Sequence, residues 1–155
     1  MARELQALRH RCVKKDWHLD GNNTDALKIT VNKNITLTAI IVYGFINDIP
    51  DRCDTYGREN TIRIHLSNDI YEQTYVISAN KQETQTIRLI NPIQIIKDTG
   101  FTVKIASPKL YVHYGSQCRE SWKQNDIKVK FEYSPECTTD TNEEQGQIAG
   151  IEFSV

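Results

Sequence analysis

From Trp17 onward the apolar residues of this chain recur mostly at every second position, the signature of strands that bury one face on a core. Leu27, Ile29 and Val31 alternate with Lys28 and Thr30. The polar triplet Asn32-Lys33-Asn34 then turns the chain into Ile35 to Tyr43, a run apolar enough to be a hairpin strand buried on both faces. Further strands are predicted at Ile62 to Leu66, Tyr71 to Ile77, Thr86 to Ile90, Ile93 to Ile96, Phe101 to Ile105 and Leu110 to Tyr114. The turns Ser67-Asn68-Asp69 and Lys97-Asp98-Thr99-Gly100 separate some of them. Asn91-Pro92 divides another pair and suits a bend or an edge position, because proline lacks the ladder donor. Ile127, Val129, Phe131 and Tyr133 alternate with Lys128, Lys130 and Glu132 over the most regular strand, and Ile148 to Val155 is the last.

The opening differs. Leu5, Leu8 and Cys12 fall at helical spacing among basic residues, so residues 1–16 are predicted to be a short amphipathic helix or linker. A helix that short is marginal in water and needs a surface to dock on. Two long connections, Gly44 to Asn60 and Ser134 to Gly146, stand out in a compact domain and are candidates for function. Nine or more short strands with turns between them predict an all-β, jelly-roll-like antiparallel sandwich of two packed sheets over residues 17–155.

Composition strengthens this reading. Ile, Val and Thr contribute 19, 8 and 14 residues against 15 for Ala and Leu together, a balance that suits pleated strands and disfavours a helix bundle. At 155 residues the chain is the size of one domain and large enough to bury a core without metal or disulfide, so no cofactor is expected.

Nineteen basic residues against twenty acidic ones leave a net charge of −1, which gives no overall field to gather a nucleic acid. Nothing approaches the roughly 20 apolar residues of a membrane-spanning helix, so no membrane partner is expected either. Cys12, Cys53, Cys118 and Cys137 are scattered with no C-x-x-C pair, and the first residues hold no apolar signal stretch. The sequons at Asn22 and Asn34 arise readily in a chain rich in Asn and Thr. An intracellular protein with free thiols, in the cytoplasm or nucleus, is expected.

Catalytic constellations are sparse. The sequence has no G-x-S-x-G elbow, no phosphate loop, no H-E-x-x-H and no G-x-G-x-x-G. His10, Cys12 and His18 match no common zinc frame, and a basic linker is the expected reading. Asp20, Asn22, Thr24 and Asp25 begin like a calcium loop, but Asp25 replaces the glycine such a loop needs and Val31 replaces its bidentate acid. His113 and Cys118 suggest a base and a nucleophile, with no orienting group or oxyanion hole to complete them. The chain is expected not to be an enzyme.

Aromatic and charged residues at predicted loops say more. Trp, Tyr and Arg dominate protein-binding hot spots because they bury large areas and keep a polar handle. Trp17 is assigned to plugging an end of the sandwich. The predicted contact surface comprises Asp48, Asp51, Arg52, Tyr56 and Arg58 in the first long connection, then Tyr111, His113, Tyr114, Arg119 and Trp122, then Glu136 and Glu143 in the second. The alternative for the same surface is a carbohydrate-binding jelly roll that stacks sugars on Tyr111 or Trp122.

Five segments in order carry a family likeness. Asp25 to Lys33 with Ile35-Thr36-Leu37 and Val42-Tyr43-Gly44 resembles the opening hairpin of a PHR domain, the module named for the Pam/Highwire/RPM ubiquitin ligases. Ile87 and Leu89 before Asn91-Pro92-Ile93-Gln94-Ile95 resemble its strand, proline and strand, and Phe101 to Ala106 its next core strand. His113-Tyr114-Gly115 is similar to its aromatic and glycine loop, and Gly146-Gln147-Ile148 before Ile151-Glu152-Phe153 to its terminal strand. Arg9-His10-Arg11-Cys12, Trp17 and the Val31-Asn32-Lys33 turn look most like PHR domains that follow BTB and BACK domains. The chain departs from the pattern after Gly44, where a glycine-rich run is missing, at Ala149 in place of proline, and at Thr141-Asn142-Glu143 in place of Asn-Gly-Thr.

The resemblance implies a non-catalytic β-sandwich that binds a protein partner or ubiquitylation substrate through loops at one end. It implies contact with a cullin only through an upstream BTB domain. The isolated domain is expected to be a monomer.

Overall fold

The computed structural model describes residues 4–18, 24–43, 59–76, 84–106, 111–118, 121–133 and 148–155. Among the described residues every regular element is a strand. In chain order these are β1 (Glu4–Leu8), β2 (His10–His18), β3 (Thr24–Val31), β4 (Ile35–Tyr43), β5 (Glu59–His65) and β6 (Ile70–Val76). There follow β7 (Thr84–Ile95), β8 (Phe101–Ala106), β9 (Tyr111–Cys118), β10 (Ser121–Gln124), β11 (Ile127–Tyr133) and β12 (Ile148–Ser154). They form a four-stranded sheet in the order β1-β12-β4-β7, a six-stranded sheet in the order β10-β11-β3-β8-β5-β6, and a ribbon of β2 with β9. All pairings are antiparallel.

The two larger sheets share one core. Leu37, Ile40, Ile151 and Phe153 of the four-stranded sheet meet Leu27, Ile29, Ile62, Val103 and Phe131 of the six-stranded sheet. The predicted sandwich is therefore the observed architecture. In β11, Ile127, Val129 and Phe131 are buried while Lys128 and Lys130 are exposed, as alternation requires. Each fully buried Ile, Leu or Phe contributes about 1.5–3 kcal/mol, so the pattern fixes which face of each strand turns inward.

Two bulges reverse that alternation locally. The register of β12 against β4 shifts at Ala149 and again opposite Thr38. Ile40 and Val42 consequently join the main core, while Ile41, Tyr43 and Ala149 form a separate buried cluster. This explains the burial of β4 on both faces, with β9 running beside it.

The helix expected within residues 1–16 is not there. β1 pairs with β12 from Glu4 opposite Ser154 to Leu8 opposite Gly150, and it buries Leu5 and Ala7 while Glu4, Gln6 and Leu8 face solvent. A free sheet edge offers this segment cross-strand hydrogen bonds and a core face, which an isolated short helix lacks. The split at Asn91-Pro92 is corrected too, because β7 is one strand. Its register against β4 jumps from Leu37–Ile93 to Ala39–Arg88, which leaves Pro92 without a ladder partner on an edge strand. β10 escaped the sequence pattern because four residues are too few to establish a period.

Side chains close the edges. Gln73 on β6 donates through Nε2 to the Arg88 carbonyl at 2.7 Å and accepts from the Ile90 N–H at 2.9 Å, standing in for a strand beside β7. Gln85 on β7 donates to the Val76 carbonyl at 2.8 Å. On the outer face of the four-stranded sheet, Gln6, Glu152, Ala39 and Arg88 occupy one cross-strand row. Arg88 passes over the small Ala39 to pair with Glu152, and it also reaches Glu4 at 3.2 Å.

Tyr75 supplies a test of this packing. Burial pushes its phenol up to about 12, against the opposing effect of the hydrogen bond from Asn60. That bond, from Asn60 Nδ2 to the Tyr75 hydroxyl, is 3.0 Å long. The folded value lies above the unfolded one near ~10, so the stabilisation is complete below pH ~10 and is lost as pH rises through ~12. Urea unfolding across this window is expected to show a loss of roughly 1–2 kcal/mol that is absent in Tyr75→Phe. Equal pH dependence in both proteins would refute the assignment.

Candidate functional site

The ends of the strands converge on one pole. In the four-stranded sheet, Tyr43 at the end of β4 pairs with Thr84 at the start of β7, and Val42 pairs with Ile148 at the start of β12. In the six-stranded sheet, Thr24 pairs with Ala106 and Glu59 with Val76 at the ends of their strands, and Tyr133, the last residue of β11, pairs with Leu27 in the first half of β3. Asp25 joins the two sets: its Oδ2 accepts the Ile148 N–H at 3.2 Å, and its side chain is almost fully buried. A carboxylate taken out of water is costly unless bonded, so this link fixes the spacing of the sheets at that pole. Within the four-stranded sheet, Arg9 continues the pairing of β1 with β12 through its backbone N–H to the Ala149 carbonyl at 2.7 Å.

The connections 44–58, 77–83 and 134–147 therefore each have both ends at this one pole, where β3 also begins and β8 ends. The opposite pole carries tight turns. Among them, Asp98 and Asn125 hold left-handed backbones with φ of 61° and 56°, a conformation that Asn and Asp tolerate better than most residues. Lys33 and Asp126 pair there at 3.0 Å, and the Lys33 ammonium holds the exposed Asp126 carboxyl below its usual range.

The sequence-predicted contact residues divide as follows. Asp48, Asp51, Arg52, Tyr56 and Arg58 belong to the connection between β4 and β5, and Glu136 and Glu143 to that between β11 and β12. These seven and Arg119 lie outside the described residues, but both connections are anchored at the converging pole. Tyr111, His113 and Tyr114 lie on β9. There Tyr111 is opposite His18 and Tyr114 opposite Lys14, with Trp17 opposite Val112.

Trp122 does not belong with them. It is only 9% exposed and sits in the main core, with its ring edge-on to Phe153 at a centroid distance of 6.0 Å and an interplanar angle of 88°. Its place on β10 opposite Val129 turns it inward, so its assignment to the contact surface is corrected. Asp25, which stands where a calcium loop would need glycine, instead ties the two sheets together.

The weaker chemical candidates also acquire positions. His10 lies opposite Cys118 and Cys12 opposite Ser116, while His18 is at the far end of the ribbon. His113 and Cys118 are five positions apart on β9. Among the described residues no group of three His, Cys, Asp or Glu side chains is placed to hold a metal ion. No helix among them is long and apolar enough to cross a membrane.

The model of the PHR domain matches residues 8–154, nearly the whole chain. This chain is a PHR domain. The match runs from Leu8, the last residue of β1, to Ser154, the last residue of β12. No curated protein matches the chain. In this PHR domain the His113-Tyr114-Gly115 motif lies on β9, in the ribbon that runs beside β4.

Proposed function

We propose that this PHR domain is a non-catalytic protein-interaction module that holds its partner at the pole where the long connections converge. The observation that carries the reading is that convergence, braced by the Asp25 bond between the sheets. Rigid strands with variable connections at one end are a common way to present a binding surface, because the scaffold bears the folding free energy and leaves loop sequence free to vary. Family membership supports an interaction role. We extend it to the partner- or substrate-facing end of a cullin-RING ubiquitin-ligase adaptor in the cytoplasm, with the cullin engaged by a BTB domain upstream.

The test is a pull-down from cell extract with the 155-residue chain and with an Arg52→Ala, Arg58→Ala, Tyr111→Ala variant. The expected result is loss of a defined set of proteins identified by mass spectrometry, with the melting temperature unchanged. The same set on both baits would defeat the proposed surface. Cullin is expected only when a BTB domain is joined upstream, and direct cullin capture by the isolated domain would overturn the division of labour. Binding on a glycan array would favour the carbohydrate reading instead.

A further inference from the structure

The outer face of the six-stranded sheet is strongly basic. Lys123 and Lys128 stand directly opposite each other on β10 and β11, and Lys130 shares a row with Ser121 and Thr30. Lys28 faces the same way one strand further in, its stem lying over Gly100, where a side chain would collide with its Cε. Lys104 and Arg63 continue the face across β8 and β5. On the strands β10, β11 and β3 the outward positions among the described residues hold one carboxylate, Glu132, which Lys130 meets at 3.6 Å, while across β5 and β6 Glu72 meets Arg63 at 3.1 Å. On those three strands Lys123, Lys128, Lys130 and Lys28 stand against that one carboxylate, on a chain whose net charge is −1.

This is not how a sheet face is ordinarily balanced. Like charges directly opposite on neighbouring strands disfavour the pairing, and nothing in the core requires lysine at both Lys123 and Lys128. Both are exposed, and they lie on strands whose inward residues Trp122, Ile127 and Val129 already secure the packing. The repulsion is relieved when an anion occupies the face. Lys128 and Lys130 are two residues apart on one strand, a spacing of about 7 Å, which is also the repeat of same-side residues in an extended peptide.

We propose that the β10-β11-β3 side of this face binds an extended acidic polypeptide segment carrying carboxylates at alternate positions. Lys128 and Lys130 take successive carboxylates along the segment, and Lys123 and Lys28 flank it from the neighbouring strands. The described outward residues of the sheet include no Phe, Tyr or Trp on which bases would stack, which disfavours single-stranded nucleic acid. Near the lysines lie Ser121 and Thr30, with no exposed apolar side chain to enter a lipid surface. The exposed Ile70 and Val76 are on β6, at the far edge of the sheet. This surface is separate from the pole of long connections.

The experiment is fluorescence anisotropy with the intact chain and a labelled peptide of about twelve residues alternating glutamate and threonine, with glutamine in place of glutamate as the neutral control. Binding is expected for the acidic peptide alone and should weaken as salt rises from about 50 to about 300 mM. A Lys123→Thr, Lys128→Thr, Lys130→Thr variant keeps residues suited to strands and should bind at least about tenfold more weakly. Lys97→Thr, outside the face, should change nothing. If the triple variant fails to fold, Lys128→Thr alone reads the same surface and should weaken binding about threefold. The proposal falls if the acidic peptide does not bind, if neither variant weakens it, or if an oligothymidylate or phosphatidylserine vesicle binds more tightly. Peptide binding that persists in the Arg52, Arg58 and Tyr111 variant shows that the two surfaces stand or fall separately.

Discussion

Trp122→Ala is expected to lower the stability of this PHR domain by about 3–5 kcal/mol, as for other buried aromatic truncations. The indole lies between the sheets against Phe153, and β10 is an edge strand of only four residues. Alanine would remove the edge-on ring contact and leave a cavity that the backbone of β11 and β12 cannot close without breaking ladder bonds. Trp122→Phe should cost less, because a smaller ring retains part of the packing. Urea unfolding monitored by circular dichroism measures both, and a loss below about 1 kcal/mol for alanine would show that the ring is not a core element. The result bears on function, since binding lost in Trp122→Ala reports unfolding and not a missing contact. Arg52, Arg58 and Tyr111 are the substitutions that address the proposed pole.

Gly150→Val should cost about 3 kcal/mol or more through a different mechanism. A Cβ at Gly150 would come within 2.0 Å of the Ala7 carbonyl oxygen and 3.1 Å of the Leu8 Cα. Both obstacles are backbone, so no side-chain rotation relieves the clash. β1 must move off β12, which exposes Leu5 and Ala7 and separates Glu4 and Gln6 from Arg88 and Glu152. Hydrogen exchange is expected to show loss of protection at Leu5 to Leu8, together with a lower unfolding midpoint. Unchanged protection at those amides would contradict the close approach. Gly100→Ala is the matched comparison: its Cβ meets Lys28 Cε at 2.5 Å, the movable end of a long side chain, and should cost under about 1 kcal/mol.

The candidate pole was legible in part. The length of the connection after Gly44 marked it as unusual for a compact domain, and the acidic connection before Gly146 did the same. Their shared pole was hidden, because it follows from which strand ends pair, as with Tyr43 and Thr84 or Thr24 and Ala106. The basic face was hidden for a similar reason. Lys123, Lys128 and Lys28 are spread over three strands, and only the register sets them side by side.

What the sequence determined by itself was the all-β class, the inward face of most strands and the family. Alternation is a local property, and a residue two positions along a strand returns to the same face whatever the strand pairs with. Tertiary structure decided the rest. Leu5, Leu8 and Cys12 have helical spacing, yet β1 is a strand because the edge of β12 supplies partners that no local preference encodes. Trp122 resembled a loop aromatic until β10 paired with β11 and turned it inward. Asp25 became a brace, and four lysines a surface, only when hydrogen bonding between distant segments brought them together.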